Sequence, residues 1–141
     1  MLPVEQLLQV AQEARNHAYV PYSGYRVGAA IETDKGEIVG GCNVENLSYG
    51  ATICAERTAV TRMVASGAGS SIRQILVASQ DGVTPCGICL QVLKEFVADG
   101  DVQVHCFDED GSAHRFRFRD LLPHGFESVN VRRTEPPATQ V

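Results

Sequence analysis

Apolar side chains recur near the start of the chain with the spacing of an amphipathic helix. The recurrence follows the i, i+3, i+4, i+7 pattern through Val4, Leu7, Leu8, Ala11, Ala14 and Ala18. It predicts a helix over residues 3–18, with its apolar face lying on a sheet. Turn-forming residues at positions 21–24 predict that the chain reverses direction there.

Two strands and then an alternation of helices and strands follow. Residues 26–33 and 37–44 predict a hairpin, because Asp34, Lys35 and Gly36 supply a tight turn between them. Helical periodicity starts again at Cys54, and Pro85 precedes a third helical stretch. We predict further helices at residues 54–66 and 86–98, further strands at residues 72–79, 102–107 and 114–118, and one helical turn at residues 120–123.

This order of elements predicts the fold class. It indicates an α/β protein, a three-layer α/β/α sandwich around a mixed five-stranded sheet. The helical crossover between strands 72–79 and 102–107 predicts that these two strands are parallel. The second and third helices both follow the carboxyl ends of strands, where open α/β sheets bind ligands.

Composition limits the possible functions. A chain of 141 residues fits one domain, which we place at residues 1–126, followed by a polar tail at 127–141. Hydrophobic residues make up 44% of the chain, yet no apolar run approaches the length of a membrane span. The N-terminus also lacks the pattern of a signal peptide, so we expect a cytoplasmic protein. The net charge of −5 argues against nucleic-acid binding and favours a small-molecule substrate.

Three of the five cysteines have the spacing of a catalytic zinc site. Cys54 precedes Ala55 and Glu56, and Cys86 and Cys89 form a C-x-x-C pair after Pro85. Three cysteine ligands leave the fourth position of a tetrahedral zinc open, which is typical of catalytic sites. Helix starts stabilise thiolates at Cys54 and Cys86. Glu56 is then free to transfer protons, in the arrangement known from zinc deaminases.

Other interpretations of these residues exist. Cys86 and Cys89 alone would equally fit a redox pair or a structural zinc knuckle, but the separate Cys54 and Glu56 favour catalytic zinc. Arg57 offers a cation that can hydrogen-bond to a cysteine sulfur and offset its charge. Glu56 alone would be an exposed helix carboxylate. The remaining cysteines, Cys42 and Cys106, lie in apolar strands and are predicted to be buried structural thiols.

Several motifs in order resemble the small tetrameric cytidine deaminases over nearly the whole chain. These are Pro21-Tyr22-Ser23-x-Tyr25-x-Val27-Gly28-Ala29-Ala30, Asn43-Val44-Glu45-Asn46, Cys54-Ala55-Glu56-Arg57, Pro85-Cys86-Gly87-x-Cys89, and Leu121-Leu122-Pro123 with Phe126. The resemblance implies hydrolytic deamination of cytidine and 2'-deoxycytidine in pyrimidine salvage, with release of ammonia. It also implies one Zn²⁺ per subunit and a homotetramer with active sites at subunit contacts.

The resemblance also implies roles for single residues. The three cysteines hold zinc, and Glu56 moves protons between water, the pyrimidine ring and the leaving ammonia. Asn43 and Glu45 bind the sugar, although the residues alone would suggest a polar turn. Ala55 is assigned to substrate binding. Phe126 covers the base bound by a neighbouring subunit, whereas the sequence alone favours a ring folded back on its own core.

Two positions depart from the family pattern. Tyr25 stands in place of a Phe that packs beside the base. The Tyr25 ring can still stack on the base, but its hydroxyl group needs a hydrogen-bond partner. We expect this change to affect the range of substrates. Leu90 stands where the family usually has Arg, and it is predicted to point away from the metal and to alter packing or a subunit contact.

Two rival functions remain open at this stage. One is deamination of a modified cytosine nucleoside such as a blasticidin-like antibiotic. The pair Asn43 and Glu45 argues against it, because these residues favour an ordinary ribose. The other is a non-catalytic zinc-stabilised oligomerisation module, against which the intact Glu56 speaks.

Overall fold

Five strands form a mixed sheet that carries one long helix on one face and two on the other. The computed structural model describes residues 1–127. The helices are α1 (Val4–Asn16), α2 (Ala55–Ser66), α3 (Gly87–Lys94) and α4 (Phe118–Leu121). The strands are β1 (Gly28–Thr33), β2 (Ile38–Cys42), β3 (Ile72–Ala78), β4 (Gln103–Phe107) and β5 (Ala113–Arg117).

The strand order is β2-β1-β3-β4-β5. β3 and β4 run parallel, as the helical crossover predicts, and the other neighbouring pairs are antiparallel. The predicted α/β sandwich with a mixed five-stranded sheet is therefore confirmed. Within residues 1–127, no helix combines the length and apolar character that crossing a membrane requires.

The central strands are buried on both faces. Ala30 and Leu76 pack with Leu7 and Ala11 of α1, while the alternate side chains of β1 and β3 face α2 and α3. A strand covered by helices on both sides is apolar at most of its positions instead of at alternate ones. This explains the continuous apolar runs and fixes α2 and α3 side by side on one face.

The third helix ends earlier than its periodicity predicts. α3 stops at Lys94, and the next residues pair with the first residue of β3. The Ile72 N–H donates to the Phe96 carbonyl at 2.8 Å, and the Ala98 N–H donates to the Ile72 carbonyl at 3.2 Å. Sheet-type pairing replaces the last helical turn here. The predicted tail at 127–141 lies outside the described residues except for Glu127, which pairs with Lys94 at 3.0 Å.

A glycine in β2 allows α2 to lie directly on the sheet. A Cβ atom at Gly41 would come within 2.4 Å of the Ala59 nitrogen and 2.5 Å of the Ala55 carbonyl oxygen. Both are backbone atoms of α2, so rotation of a side chain cannot relieve the clash. The position of α2, and of the cysteine at its start, therefore depends on this glycine.

We expect Gly41→Ala to destabilise the protein by about 1–3 kcal/mol, because overpacking forces the backbone apart. Thermal unfolding measures the effect. The matched control is Gly50→Ala, since a Cβ atom there meets nothing within 4 Å. Equal unfolding temperatures for the two variants would show that α2 does not depend on the close approach.

Candidate active site

The sulfur atoms of three cysteines meet where α2 and α3 begin. Cys54 and Cys86 directly precede these helices, and Cys89 lies in the first turn of α3. The three Sγ atoms all lie within 4.8 Å of one another. The Cys54 and Cys86 sulfurs are 3.8 Å apart, well beyond a disulfide bond of about 2.05 Å. The cluster is therefore a set of free thiols that could hold a metal ion.

Helix geometry places these sulfurs. Cys54 and Cys86 have extended backbone conformations, and each accepts the first hydrogen bond of its helix through its carbonyl, from Thr58 at 3.0 Å and from Leu90 at 2.9 Å. Two helix N-termini, each partly positive, thus face one set of sulfurs. The predicted position of both cysteines at helix starts is confirmed.

The charge of the cluster favours a cation. The Cys89 thiol donates a hydrogen bond to the Cys54 sulfur, and the Arg57 guanidinium lies 3.5 Å from the same sulfur. Together these two contacts lower the pKa of Cys54 to about 5. The hydrogen bond with Cys54 and burial raise the pKa of Cys89. A bound zinc ion can replace the proton that the two sulfurs share, because thiolates are the usual ligands of zinc. The donor set fits zinc.

Glu56 lies beside the cluster, and its side chain is only 4% exposed. Burial raises the pKa of its carboxyl group, whose side chain also hydrogen-bonds with Cys89. A raised pKa makes a carboxyl a better proton acceptor than an ordinary carboxylate, which suits a group that takes up a proton and passes it on. The exposed helix carboxylate that Glu56 alone would suggest is therefore wrong.

Asn43 and Glu45 lie on a segment that pairs with the approach to Cys54. The backbone of Val44 exchanges two hydrogen bonds with Ile53, at 2.9 and 3.0 Å. Glu45 accepts hydrogen bonds from Ser23 Oγ at 2.5 Å and from the backbone N–H groups of Tyr22 and Ser23 at 3.0 and 3.1 Å. These bonds, led by the Ser23 hydroxyl, lower the pKa of Glu45.

A cavity of about 330 Å³ lies against Glu45. It is lined by Tyr22, Ser23, Glu45, Tyr49 and Thr52. Two of its lining residues, Tyr22 and Tyr49, meet edge to face with ring centroids 5.7 Å apart. A lining that combines a carboxylate with two aromatic rings suits a ligand with both hydroxyl groups and a flat ring.

Comparison with known proteins decides the family. The sequence model described as the cytidine and deoxycytidylate deaminase zinc-binding region matches residues 1–106. The chain belongs to this family. It is therefore a zinc-dependent hydrolase.

Individual relatives agree with this assignment. The chain is 45% identical over 131 residues to a Dictyostelium discoideum protein named "Probable cytidine deaminase", covering 91% of this chain and 86% of the relative. It is 41% identical over 131 residues to the cytidine deaminase of Sporosarcina psychrophila, covering 92% and 96%. The crystal structure of cytidine deaminase from Burkholderia pseudomallei superposes with a TM-score of 0.82 at 36% identity, covering 89% and 100%.

Tyr25 has a hydrogen-bond partner that the sequence did not identify. Its half-buried ring packs against the main core, and its hydroxyl group donates to the Asp81 carboxylate. Burial first, and then this carboxylate, raise the pKa of Tyr25. Asp81 lies 56 positions further along the chain in an ordinary-looking loop, so no local pattern marks the pairing.

Phe126 exposes its ring while its backbone is held in place. The Gln91 side chain accepts from the Phe126 N–H and donates to its carbonyl, both at 3.0 Å. The residue is 73% exposed. The ring folded back on its own core, favoured by the sequence alone, is therefore wrong. Gln91, which a sequence pattern did not single out, fixes the position from which the ring projects.

The remaining predicted positions contribute no ligand atom to the sulfur cluster. Leu90 is buried in the main hydrophobic core, so its difference from the family pattern changes packing within the chain. Cys106 is buried in β4, and burial raises its pKa to about 11. Cys42 is only half-buried, because it ends the edge strand β2, and the prediction of a buried thiol is wrong there.

Proposed function

We propose that this protein hydrolytically deaminates cytidine and 2'-deoxycytidine to uridine and 2'-deoxyuridine, releasing ammonia, as part of pyrimidine salvage. The observation that carries the proposal is the buried Glu56 carboxyl beside three thiols at two helix N-termini. A closed structural zinc site has no use for a buried proton carrier, whereas hydrolysis at a ring carbon needs one.

Cys54, Cys86 and Cys89 would hold one zinc ion per subunit. When bound, zinc supplies Lewis-acid activation of water. Three thiolates outweigh the charge of the ion by one negative unit, and Arg57 offsets part of that excess through its contact with the Cys54 sulfur. The Arg57 Nη2 atom lies 3.4 Å from the Thr52 carbonyl and 3.5 Å from the Cys54 sulfur, and among residues 1–127 the buried Nε atom has no hydrogen-bond partner.

Glu56 carries the protons of the reaction. It accepts one from water as oxygen adds to C4 of the cytosine ring, and it donates that proton to ring N3. It then takes the proton of the hydroxyl group added at C4 and passes it to the amino group, which leaves as ammonia when the bond between C4 and nitrogen breaks. A carboxyl whose pKa is raised toward the working pH is suited to act in both directions.

The nucleoside side of the site is built on residues 22–27 and 43–45. Glu45 Oε1 already accepts from the backbone N–H groups of Tyr22 and Ser23, whereas Oε2 accepts only from the Ser23 hydroxyl and keeps a lone pair for a ribose hydroxyl. Asn43 binds the sugar through the capacity of its amide to donate and accept. Tyr25 packs beside the base, whereas Ala55, which the resemblance also assigns to substrate binding, is fully buried at the start of α2.

The deciding experiment is the change in ultraviolet absorbance when the purified protein is incubated with a panel of cytosine nucleosides. The panel contains cytidine, 2'-deoxycytidine and a blasticidin-like nucleoside, and zinc per subunit is measured on the same sample. We expect turnover of the first two and one zinc per subunit. Zinc without turnover of any nucleoside would favour the non-catalytic module, and turnover of the modified nucleoside alone would favour the antibiotic-type enzyme.

We also propose that the enzyme is a homotetramer with active sites at subunit contacts. Large apolar side chains stand exposed close to the candidate site, and monomers rarely leave such groups uncovered together. They are Tyr22, Leu47, Tyr49, Ile88 and Phe126. Tyr22 and Tyr49 line the cavity beside Glu45, and Ile88 lies between two of the sulfur-bearing positions.

Mixed tetramers test whether Phe126 acts across a contact. Subunits with Glu56→Ala lack the proton carrier but keep Phe126, and subunits with Phe126→Ala keep Glu56. Denatured together and refolded, the two should regain activity well above the sum of the separate preparations, because some sites then combine a native Glu56 with a native Phe126.

Native mass spectrometry verifies that mixed oligomers form. The control mixes Glu56→Ala subunits with Glu56→Ala, Phe126→Ala double-variant subunits, which cannot rebuild a complete site. Additive activity in verified mixed oligomers would mean that Phe126 serves its own subunit.

A further inference from the structure

The backbone of Tyr25 is fixed at both ends by side chains of the nucleoside-binding segment. Its N–H donates to Ser23 Oγ at 3.0 Å, and that hydroxyl donates in turn to Glu45. Its carbonyl accepts from the Asn43 amide at 2.8 Å, while the same amide accepts from the Val27 N–H at 2.9 Å. The two residues assigned to the sugar therefore also hold the residue assigned to the base.

The far end of the Tyr25 side chain is fixed by a different loop. Its hydroxyl donates to Asp81, which follows β3 on the loop that leads to Cys86, and it also hydrogen-bonds with the Ser79 side chain on the same loop. This loop is firmly held, because Ser79 Oγ accepts from the backbone N–H groups of Gly82 and Val83 at 2.9 and 3.1 Å. Asp81 also forms an antiparallel bridge with Asp108 at the end of β4. The carboxylate is thus presented from a rigid support.

We propose that Asp81 is a positioning residue that fixes the ring of Tyr25 beside the base, joining the nucleoside-binding loop to the loop that carries Cys86. This rests on the proposed function, and it assigns a role to the hydroxyl group by which Tyr25 differs from Phe. Asp81 touches no substrate and acts through the tyrosine alone.

The expected effect is on binding more than on chemistry. A ring held in one rotamer contacts the base equally in the ground state and in the transition state. Interactions of that kind lower KM without raising kcat. Without the Asp81 carboxylate the ring is held only by Ser79 and by its packing against the core, and each binding event must restrict its remaining motion.

A double-mutant cycle tests the pairing. Tyr25→Phe and Asp81→Ala should each raise KM for cytidine about three- to tenfold, the range for one hydrogen bond, with kcat changed less. In the Phe background, Asp81→Ala should change KM by less than about twofold, since its partner is already gone. Asp81→Asn should restore a nearly normal KM, because its amide oxygen still accepts the tyrosine hydroxyl.

Asp110→Ala is the matched control, an exposed carboxylate in the neighbouring turn, and it should leave KM unchanged. Binding of the product uridine, measured by calorimetry on the zinc-loaded proteins, should follow the same non-additive pattern without any turnover. Normal wild-type activity with additive effects of Tyr25→Phe and Asp81→Ala would overturn the positioning role alone. Absence of wild-type turnover across the nucleoside panel would overturn the proposed function instead.

Discussion

Glu56→Gln is expected to keep zinc and fold but to lose about a hundredfold to ten-thousandfold in kcat, the contribution typical of general acid–base catalysis. Glutamine has nearly the same shape as glutamate, so it fills the buried space beside Cys89 without opening a cavity. It cannot take up a proton from water or deliver one to the pyrimidine ring. The loss should therefore appear in kcat, with zinc content and unfolding temperature close to those of the wild type.

Three measurements on one preparation separate chemistry from structure: steady-state kinetics, zinc content and thermal unfolding. Glu13→Gln is the control, because it makes the same change at an exposed helix position. Near-normal activity of the Glu56 variant with unchanged zinc content would contradict the assignment of proton transfer to this residue. A non-catalytic zinc module predicts that both variants behave alike in every measurement.

Most of the fold could be predicted from periodicity because each element buries a face in a regular way. α1 has one apolar stripe, and β1 and β3 carry continuous apolar runs at residues 28–31 and 75–78 because helices cover both faces of the sheet. The parallel arrangement of β3 and β4 followed from their helical connection. The end of α3 could not be predicted, because Val97 leaves the helix to pair with Ile72, a contact between residues far apart in sequence.

The residues of the candidate site also fall into those that the sequence could predict and those that it could not. The cysteines and Glu56 could be found because their chemistry depends on short spacings at helix starts, which are visible in the sequence. Asp81 and Gln91 could not be found, because each acts through a partner that the fold brings to it from a distant position, Tyr25 in one case and Phe126 in the other. The half-burial of Cys42 depends on β2 being an edge strand, which strand composition does not reveal.

The cysteines of the cluster can be separated from the other cysteines by their dependence on metal. Replacing Cys54, Cys86 or Cys89 by Ala removes one of three sulfurs, and we expect zinc content to fall well below one per subunit. Metal that binds only the folded state stabilises it by about 2.7 kcal/mol when free zinc is about 100 times its Kd. Loss of the ion should therefore lower the unfolding temperature as well.

Unfolding with and without a chelator isolates that contribution from packing. Cys106→Ala leaves a cavity in the core and should lower stability by itself, but its unfolding temperature should still drop further when zinc is removed. Cys42→Ala should behave in the same way with a smaller loss from packing, since its side chain is only half-buried. In the three cluster variants the chelator should have almost no further effect, because little zinc remains to be withdrawn. If Cys106→Ala lost zinc and Cys89→Ala kept it, the metal would be bound by a different set of sulfurs. Glu56 would then not lie beside the zinc ion, and its proposed role would be contradicted.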